Sequence, residues 1–505
     1  MSIFDMQATS VEPSAPRQTA GLWTDQQEAI FADVVGTPAN MVIEARAGCG
    51  KSSTCREAMW RLKETQHDCR VGYAVFNKAN ADEFRADCPP GVNVGTIHAM
   101  GRAAINRAFP AELLTTKSYA ILDSSPAGAK LPKWMRRAAS IVAGHAKNYA
   151  IMPDDEDIET VLANIIAHHD INTWGKASSV IEWAIFVLEG SLKQTHIIDF
   201  DDMLWLPLAL GLEFDPCDVM FLDEVQDWNA TQHRLIPQLC PSGLIIAVGD
   251  SRQAIYAWRG ADPESMLRLR DQFSARPTGM VERKLTLTFR CPQSHVALAQ
   301  RIVPDIQAHA SNREGVIVDG LELPNVMGRL QPGDKMLCPT NAPLISTAIQ
   351  LLKMRRKVLV KGRGVSDSLL SVLRQAQPGA TIAQTAVNVQ RWSHKELDRL
   401  SEMEGVEDVV EGLLDRVAGL QAIMSSCDSP GDIEPLIHVL CADEFSANAI
   451  NLSTIHRAKG SEADTVYLLQ PPERTLEIEW QILQRENLQY VALTRSKSFL
   501  GFVTP

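Results

Sequence analysis

The sequence predicts an α/β chain with two sets of parallel strands, each set interrupted by a mainly helical stretch. Three observations carry this. Short apolar runs recur and end in polar tips, as at 41–43, 71–76, 218–222 and 244–250, the pattern of buried parallel strands whose carboxyl ends line a site. The run at Met41 passes directly into the small-residue turn and Lys-Ser pair of a phosphate loop. Residues 104–198 and 366–445 instead carry apolar residues at three and four spacings.

The length of 505 residues allows about three or four domains. A composition of 45% hydrophobic and 22% charged residues is that of a globular chain. The net charge of −12 argues against a nucleic-acid partner only weakly, because such binding depends on a local patch. None of the ten cysteines forms a C-x-x-C pair, so neither a zinc knuckle nor a disulfide framework is expected, which fits a reducing compartment. No signal peptide opens the chain and no apolar run approaches the roughly 20 residues of a membrane helix. The expectation is a cytoplasmic enzyme with no membrane partner.

The phosphate loop spans MVIEARAGCGKSST, Met41 to Thr54. Ala45 stands where the consensus has its first glycine. Arg46, Ala47, Gly48, Cys49 and Gly50 let backbone N–H groups close around phosphate oxygens, and a helix N-terminus adds positive potential at Ser52 and Ser53. Lys51 can reach the outer phosphates, and the Ser52 hydroxyl can ligate Mg²⁺.

Residues 1–20, rich in Ser, Pro, Thr and Gln, are expected to form a flexible tail. Thr24 can cap a helix through Phe31, on which Gln27, with Gln26 close behind, either reads adenine through its amide or is a solvated surface glutamine. The strand Val71–Phe76 ends in Asn77, and Val92–Gly101 gives a third strand ending in Thr96 and His98. Polar residues at such ends are candidate contacts, although His98 reads equally as a capping or core histidine. The helical stretch 104–198 is read as an insertion into a first domain made of 21–103 and 199–282. His168, His169 and Asp170 within it mark a helix end rather than a metal site.

The strand Asp218–Leu222 runs into Asp223 and Glu224. An acidic pair at the tip of a buried strand complements a phosphate loop: Asp223 would hold Mg²⁺, and Glu224 would orient and deprotonate an attacking water. After Leu244–Asp250, Gln253 can sense a γ phosphate. Tyr256, Trp258 and Arg259 follow in a Gly-flanked loop, where the tryptophan either stacks on a base or closes a core. Lys284–Cys291 is read as a strand opening a second α/β domain, 283–365 and 446–505, interrupted by a small helical insertion at 366–445. The basic cluster Lys353–Arg363 is either a phosphate-backbone contact or a solvated face. A helix over about 478–494 presents Arg495, which can neutralise a transferring phosphoryl group.

The strings ARAGCGKSS, FNKANA, GTIHAM, DEVQD, GDSRQAIYAWRGA, LTFRC, STIHRAKGSEAD and YVALTR together resemble, in order and over almost the whole chain, the superfamily 1 DNA helicases of the UvrD, Rep and PcrA type. The resemblance implies two RecA-like P-loop domains with parallel sheets and ATP between them, each domain carrying a mainly helical insertion. It implies Lys51 and Ser52 on phosphate and Mg²⁺, Asp223 and Glu224 on metal and water, and Gln253 coupling the γ phosphate to DNA. Arg290 and Arg495 would be arginine fingers, Glu462 would lie near the nucleotide, and Phe289 would stack on adenine. Trp258 would stack on a base of single-stranded DNA, with Phe76, Asn77, Thr96, His98, Tyr256, Arg259, Thr454 and His456 lining the strand. The implied activity is ATP-dependent, 3′-to-5′ translocation on single-stranded DNA with duplex unwinding. The implied partners are single-stranded DNA, duplex junctions, and loading or replication and repair proteins. The second insertion is much shorter than in the large bacterial relatives and the sequence stops soon after YVALTR, as in a compact, phage-type version.

Overall fold

The computed structural model describes residues 23–36, 39–75, 78–169, 171–255, 264–401, 407–442, 445–470 and 479–505. The expected tail and the sequence-named residues Phe76, Asn77, Asp170, Tyr256, Trp258 and Arg259 lie outside the described residues. The chain divides into two compact units. One is Met1–Glu159, Thr173–Ser251 and Arg259–Leu285; the other is Thr160–Asn172, Arg252–Trp258 and Thr286–Pro505.

The first unit is built on a six-stranded sheet of β1 (Asn40–Ala45), β2 (Val71–Val75), β3 (Asn93–Thr96), β4 (Val219–Leu222), β5 (Leu244–Gly249) and β6 (Met280–Leu285). The order is β3-β2-β4-β5-β1-β6 and every pairing is parallel. Alternate side chains feed opposite faces. Met41, Ile43, Tyr73, Val75, Phe221 and Val248 pack against α1 (Asp25–Gly36) and α2 (Lys51–Thr65). Val42, Ala74, Met220, Leu222, Ile245 and Ala247 pack against helices Ile97–Ala108, Ala230–Leu239 and Ser265–Ser274. Cover on both faces is why β1 and β4 read as unbroken apolar runs. Since all strands are parallel, the ends of β1, β4 and β5 lie along one edge.

The stretch read as one strand, Lys284–Cys291, is divided in the structure. Lys284 and Leu285 finish β6, an edge strand of the first sheet, whereas Leu287–Thr288 pairs with Gln307–Ala308 in a separate two-stranded ladder. The segment MVERKL faces solvent on one side, so its charges hid it from an apolar-run reading. Likewise His98 is not at a strand tip. β3 stops at Thr96, whose Oγ1 accepts the Ala99 N–H and caps helix Ile97–Ala108.

Within residues 104–210 lie helices Lys117–Asp123, Lys133–Asn148, Ile158–His168, Ala177–Lys193 and Asp202–Leu210. A short parallel pair, Glu112–Leu113 with Ile197–Ile198, joins the outgoing and returning chain. The helix end at His168 is as expected, with His169 packed edge-on at 4.8 Å. Among the described residues no group of His, Cys, Asp or Glu is placed to hold a metal ion by itself.

The second unit has a seven-stranded sheet of β7 (Val316–Glu322), β8 (Lys335–Cys338), β9 (Val358–Lys361), β10 (Cys441–Ala442), β11 (Ile450–Thr454), β12 (Ala463–Leu469) and β13 (Ser496–Thr504). Its order is β7-β13-β12-β8-β11-β9-β10, again wholly parallel. Helices Arg363–Ala376, Ile382–Ser401, Glu407–Met424 and Ile433–Leu440 lie between β9 and β10. The ten cysteines form no disulfide. Among the described residues no helix is long and apolar enough to cross a membrane.

Candidate functional site

At the end of β1 the chain turns through Gly48 (φ 71°) and Gly50 (φ 77°), left-handed positions that suit glycine. Gly50 then caps α2, whose first residue is Lys51. The turn is fixed from several sides. Arg46 N–H donates to Leu285 O at 2.8 Å, and its guanidinium bonds Glu44 (2.8 Å) and Asp250 (3.2 Å). Glu44 also accepts from the Ser251 backbone and hydroxyl, at 2.9 and 2.6 Å. Ala45, Ala47 and Cys49 are buried, while Ser52 and Ser53 are exposed in the first turn of α2.

Gln27 is not a solvated glutamine. It is 3% exposed, its Nε2 donates to Thr54 Oγ1 at 2.9 Å, and its Oε1 accepts from the Thr24 amide at 3.1 Å. Thr54 Oγ1 in turn donates to Gly50 O at 2.8 Å. α1 is thereby tied to the phosphate loop.

The tip of β4 brings the acidic pair to that loop. Lys51 Nζ lies 2.9 Å from Glu224 Oε1. Burial opposes the charge on Lys51, but the fields of Glu224, Asp223 and Asp250 override it and hold its pKa above the usual range. Burial and the neighbouring Glu224 charge push Asp223 up to about 6, against the pull of Lys51 and Tyr73. Glu224 has φ 52° and ψ 39°, a conformation costly for glutamate. Gln226 Nε2 donates to the second Glu224 oxygen, and the Glu224 N–H donates to Asp223 Oδ1 at 2.9 Å.

This donor set fits a nucleoside triphosphate with a divalent cation. Lys51 rests on a carboxylate that phosphate oxygens can replace, and two carboxylates with a serine hydroxyl supply the hard oxygens that Mg²⁺ takes. Ser52 and Asp223 are the residues that would hold the cation.

Gln253 is buried within the segment that groups with the second unit, where its carbonyl accepts from Lys459 Nζ at 2.6 Å. That unit gathers a second charged cluster. Arg290 Nη2 lies 2.5 Å from Glu462 Oε1, and Lys497 Nζ lies 2.8 Å from Glu462 Oε2. Burial raises the pKa of Glu462, and Arg290 and Lys497 outweigh it, so the net shift is downward. Arg495 is fully buried, with Nε donating to Val491 O at 2.9 Å and Nη2 to Thr494 Oγ1 at 3.0 Å. Burial and the nearby Arg290 bring its pKa down to about 10. Phe289 is exposed, its ring centroid 4.9 Å from that of His309. Thr454 is buried at the end of β11 and His456 follows on the short helix Ile455–Ala458. His98 is half-buried, and burial lowers its pKa.

Sequence reasoning missed three participants. Lys497 completes the clamp on Glu462, and Glu44 organises the base of the phosphate loop. Tyr73 donates to Asp223 from the middle of β2 at 2.7 Å. Tyr73 left a trace, a lone hydroxyl in an otherwise apolar strand; Lys497 and Glu44 looked like ordinary charges.

The family model for the UvrD/REP helicase N-terminal domain matches residues 23–274, and that for the UvrD-like helicase C-terminal domain matches residues 450–503. Among curated proteins, the ATP-dependent DNA helicase Rep of Escherichia coli (strain K12) is 24% identical over 37% of this chain and 28% of its own length. The F-box DNA helicase 1 of Gallus gallus is 24% identical over 94% of this chain and 48% of its own. The ATP-dependent DNA helicase PcrA of Leuconostoc citreum is 24% identical over 54% of this chain and 38% of its own. The chain thus spans about half or less of the length of these relatives. With two such models in order on two parallel-sheet units, and the phosphate loop and acidic pair brought together in the first, the chain belongs to the UvrD/Rep helicase family.

Proposed function

We propose that this chain hydrolyses ATP with Mg²⁺ and uses the turnover to move 3′ to 5′ along single-stranded DNA and unwind duplex ahead of it. The observation that carries the reading is the Lys51–Glu224 contact beside the buried Asp223. Arriving phosphates would take Lys51 from Glu224, freeing that carboxylate to accept a proton from water. Backbone N–H groups from Arg46 to Gly50 would cradle the phosphates, and Gln27 would stand at the adenine side. Bound Mg²⁺ would neutralise charge on the outer phosphates. Arg290 would exchange Glu462 for a phosphoryl oxygen, and Arg495 would add a second positive charge. Thr96, His98, Thr454 and His456 would meet the DNA strand. The names of the relatives, all DNA helicases, support the DNA partner. Loading, replication or repair proteins would be further partners, in a cytoplasmic setting.

The test is the rate of ATP hydrolysis with and without single-stranded DNA, for the wild type and Glu224→Gln. Strong DNA stimulation in the wild type and a loss of about 10²-fold or more in Glu224→Gln are expected. Hydrolysis indifferent to DNA would withdraw the motor reading in favour of another nucleotidase. A second reading, a translocase that remodels protein–DNA complexes and unwinds little alone, is favoured by the small second insertion, four helices between β9 and β10. Strand displacement measured beside translocation separates the two.

A further inference from the structure

Tyr73 sits at the centre of β2, fully buried among apolar side chains. A phenylalanine would fill that place without burying a hydroxyl, which is costly unless bonded. The hydroxyl is bonded: it donates to Asp223 Oδ2 at 2.7 Å.

We propose that Tyr73 is a positioning residue for the divalent cation, aligning Asp223 as a ligand before the cation arrives. This rests on the reading of the site as one for Mg²⁺ and ATP. Asp223 is oriented through both oxygens, Tyr73 on Oδ2 and the Glu224 N–H on Oδ1 at 2.9 Å. Tyr73 is itself held, with its ring stacked on Phe84 at 3.8 Å between centroids and 27° between planes. The backbone anchors the same pair of strands, since Asp223 N–H donates to Ala74 O at 2.9 Å.

The experiment is calorimetric titration of the full chain with a non-hydrolysable ATP analogue, in EDTA and over a series of Mg²⁺ concentrations, for the wild type and Tyr73→Phe. The variant is expected to keep its EDTA affinity within about twofold and to lose about tenfold or more of the gain that Mg²⁺ gives. A merely structural role would lower both affinities together. An unchanged Mg²⁺ gain in a variant with intact EDTA affinity overturns the proposal, as does a parallel fall in both affinities of a folded variant. Should Tyr73→Phe not fold, 4-aminophenylalanine at position 73 keeps the shape while giving Asp223 a weaker donor. A Mg²⁺ gain reduced by about threefold then supports the proposal and an unchanged gain overturns it. No binding by the wild type, with or without Mg²⁺, is a separate outcome that fails the reading of the site itself.

Discussion

The two helical insertions are fastened by opposite means. The first is pinned by buried charge. Lys117 and Lys147, at most 1% exposed, both reach Asp202, at 2.6 and 2.7 Å, and Lys147 also reaches Asp199 at 2.9 Å. The pin continues through Asn148, which donates to Asp201 at 3.1 Å and accepts from Asn229, five residues past Glu224, at 2.7 Å. The second insertion has no comparable buried pair among its described residues. Leu369, Leu373, Val389, Leu413, Leu420 and Ile437 instead share one apolar cluster with Met336, Val360 and Leu452 of the sheet. Apolar packing is non-directional and tolerates repacking, whereas an ionic pin has one geometry. The first insertion is therefore held in register with the acidic strand tip by buried charge, and the second mainly by apolar packing, with Asp415 adding hydrogen bonds from the Asn341 and Ala342 amides at 2.9 and 2.7 Å.

The contrast within the pin shows how burial and charge compete. Lys117 has one carboxylate, and burial wins, lowering its pKa; Lys147 has two, and they overcome the same burial to raise it.

The largest expected break is Lys147→Ala. It leaves Asp199 without its lysine and Asp202 with Lys117 alone, and should cost about 3–5 kcal/mol, visible as faster hydrogen exchange through helix Lys133–Asn148 and the Asn229 cap. Leu420→Ala in the second insertion should cost about 2–5 kcal/mol, with exchange rising over Glu407–Met424 and not beyond the shared cluster. If Lys147→Ala left exchange around Asn229 unchanged, the idea of a pin in register would be lost.

Asp201 sharpens the comparison by pH. Burial, then the neighbouring Asp199 charge, push it up to about 6. An acid with a raised folded-state pKa binds its proton more tightly when folded. Its contribution to stability is thus present at low pH and lost as pH rises from about 4 to about 6. Unfolding midpoints of the wild type minus those of Asp201→Asn should fall across that window and level above it. No such slope should attach to the apolar insertion. The smallest effect belongs to the exposed pair Arg374–Glu434, 3.6 Å apart; Arg374→Ala should change the midpoint by less than about 0.5 kcal/mol.

These differences also mark what could be read from sequence. The parallel α/β architecture was legible because buried strands such as VMFL and LIIAV are apolar runs with polar ends, and because the phosphate loop is contiguous. Strands exposed on a face or edge were not, as with MVERKL and the mostly exposed Val316–Glu322. Both insertions were legible as helical through periodicity, but their fastening was not. Lys117, Lys147 and Asp202 meet across 85 and 55 positions, and nothing local distinguishes them from surface charges. The same holds for the site. Lys51 and Glu224 were named from local motifs, whereas Tyr73 and Lys497 gain their meaning only from partners 150 and 35 residues away.

One bond of the phosphate loop has a mechanical meaning. The Arg46 amide is latched to Leu285 O, and the next residue, Thr286, is where the chain passes to the second unit. Tension on the strand at Thr286 therefore meets the loop first at this hydrogen bond, at the end of the β1–β6 ladder. The Arg46 N–H is a natural strain gauge: its exchange rate would report, at a single position, how firmly the crossing strand grips the loop.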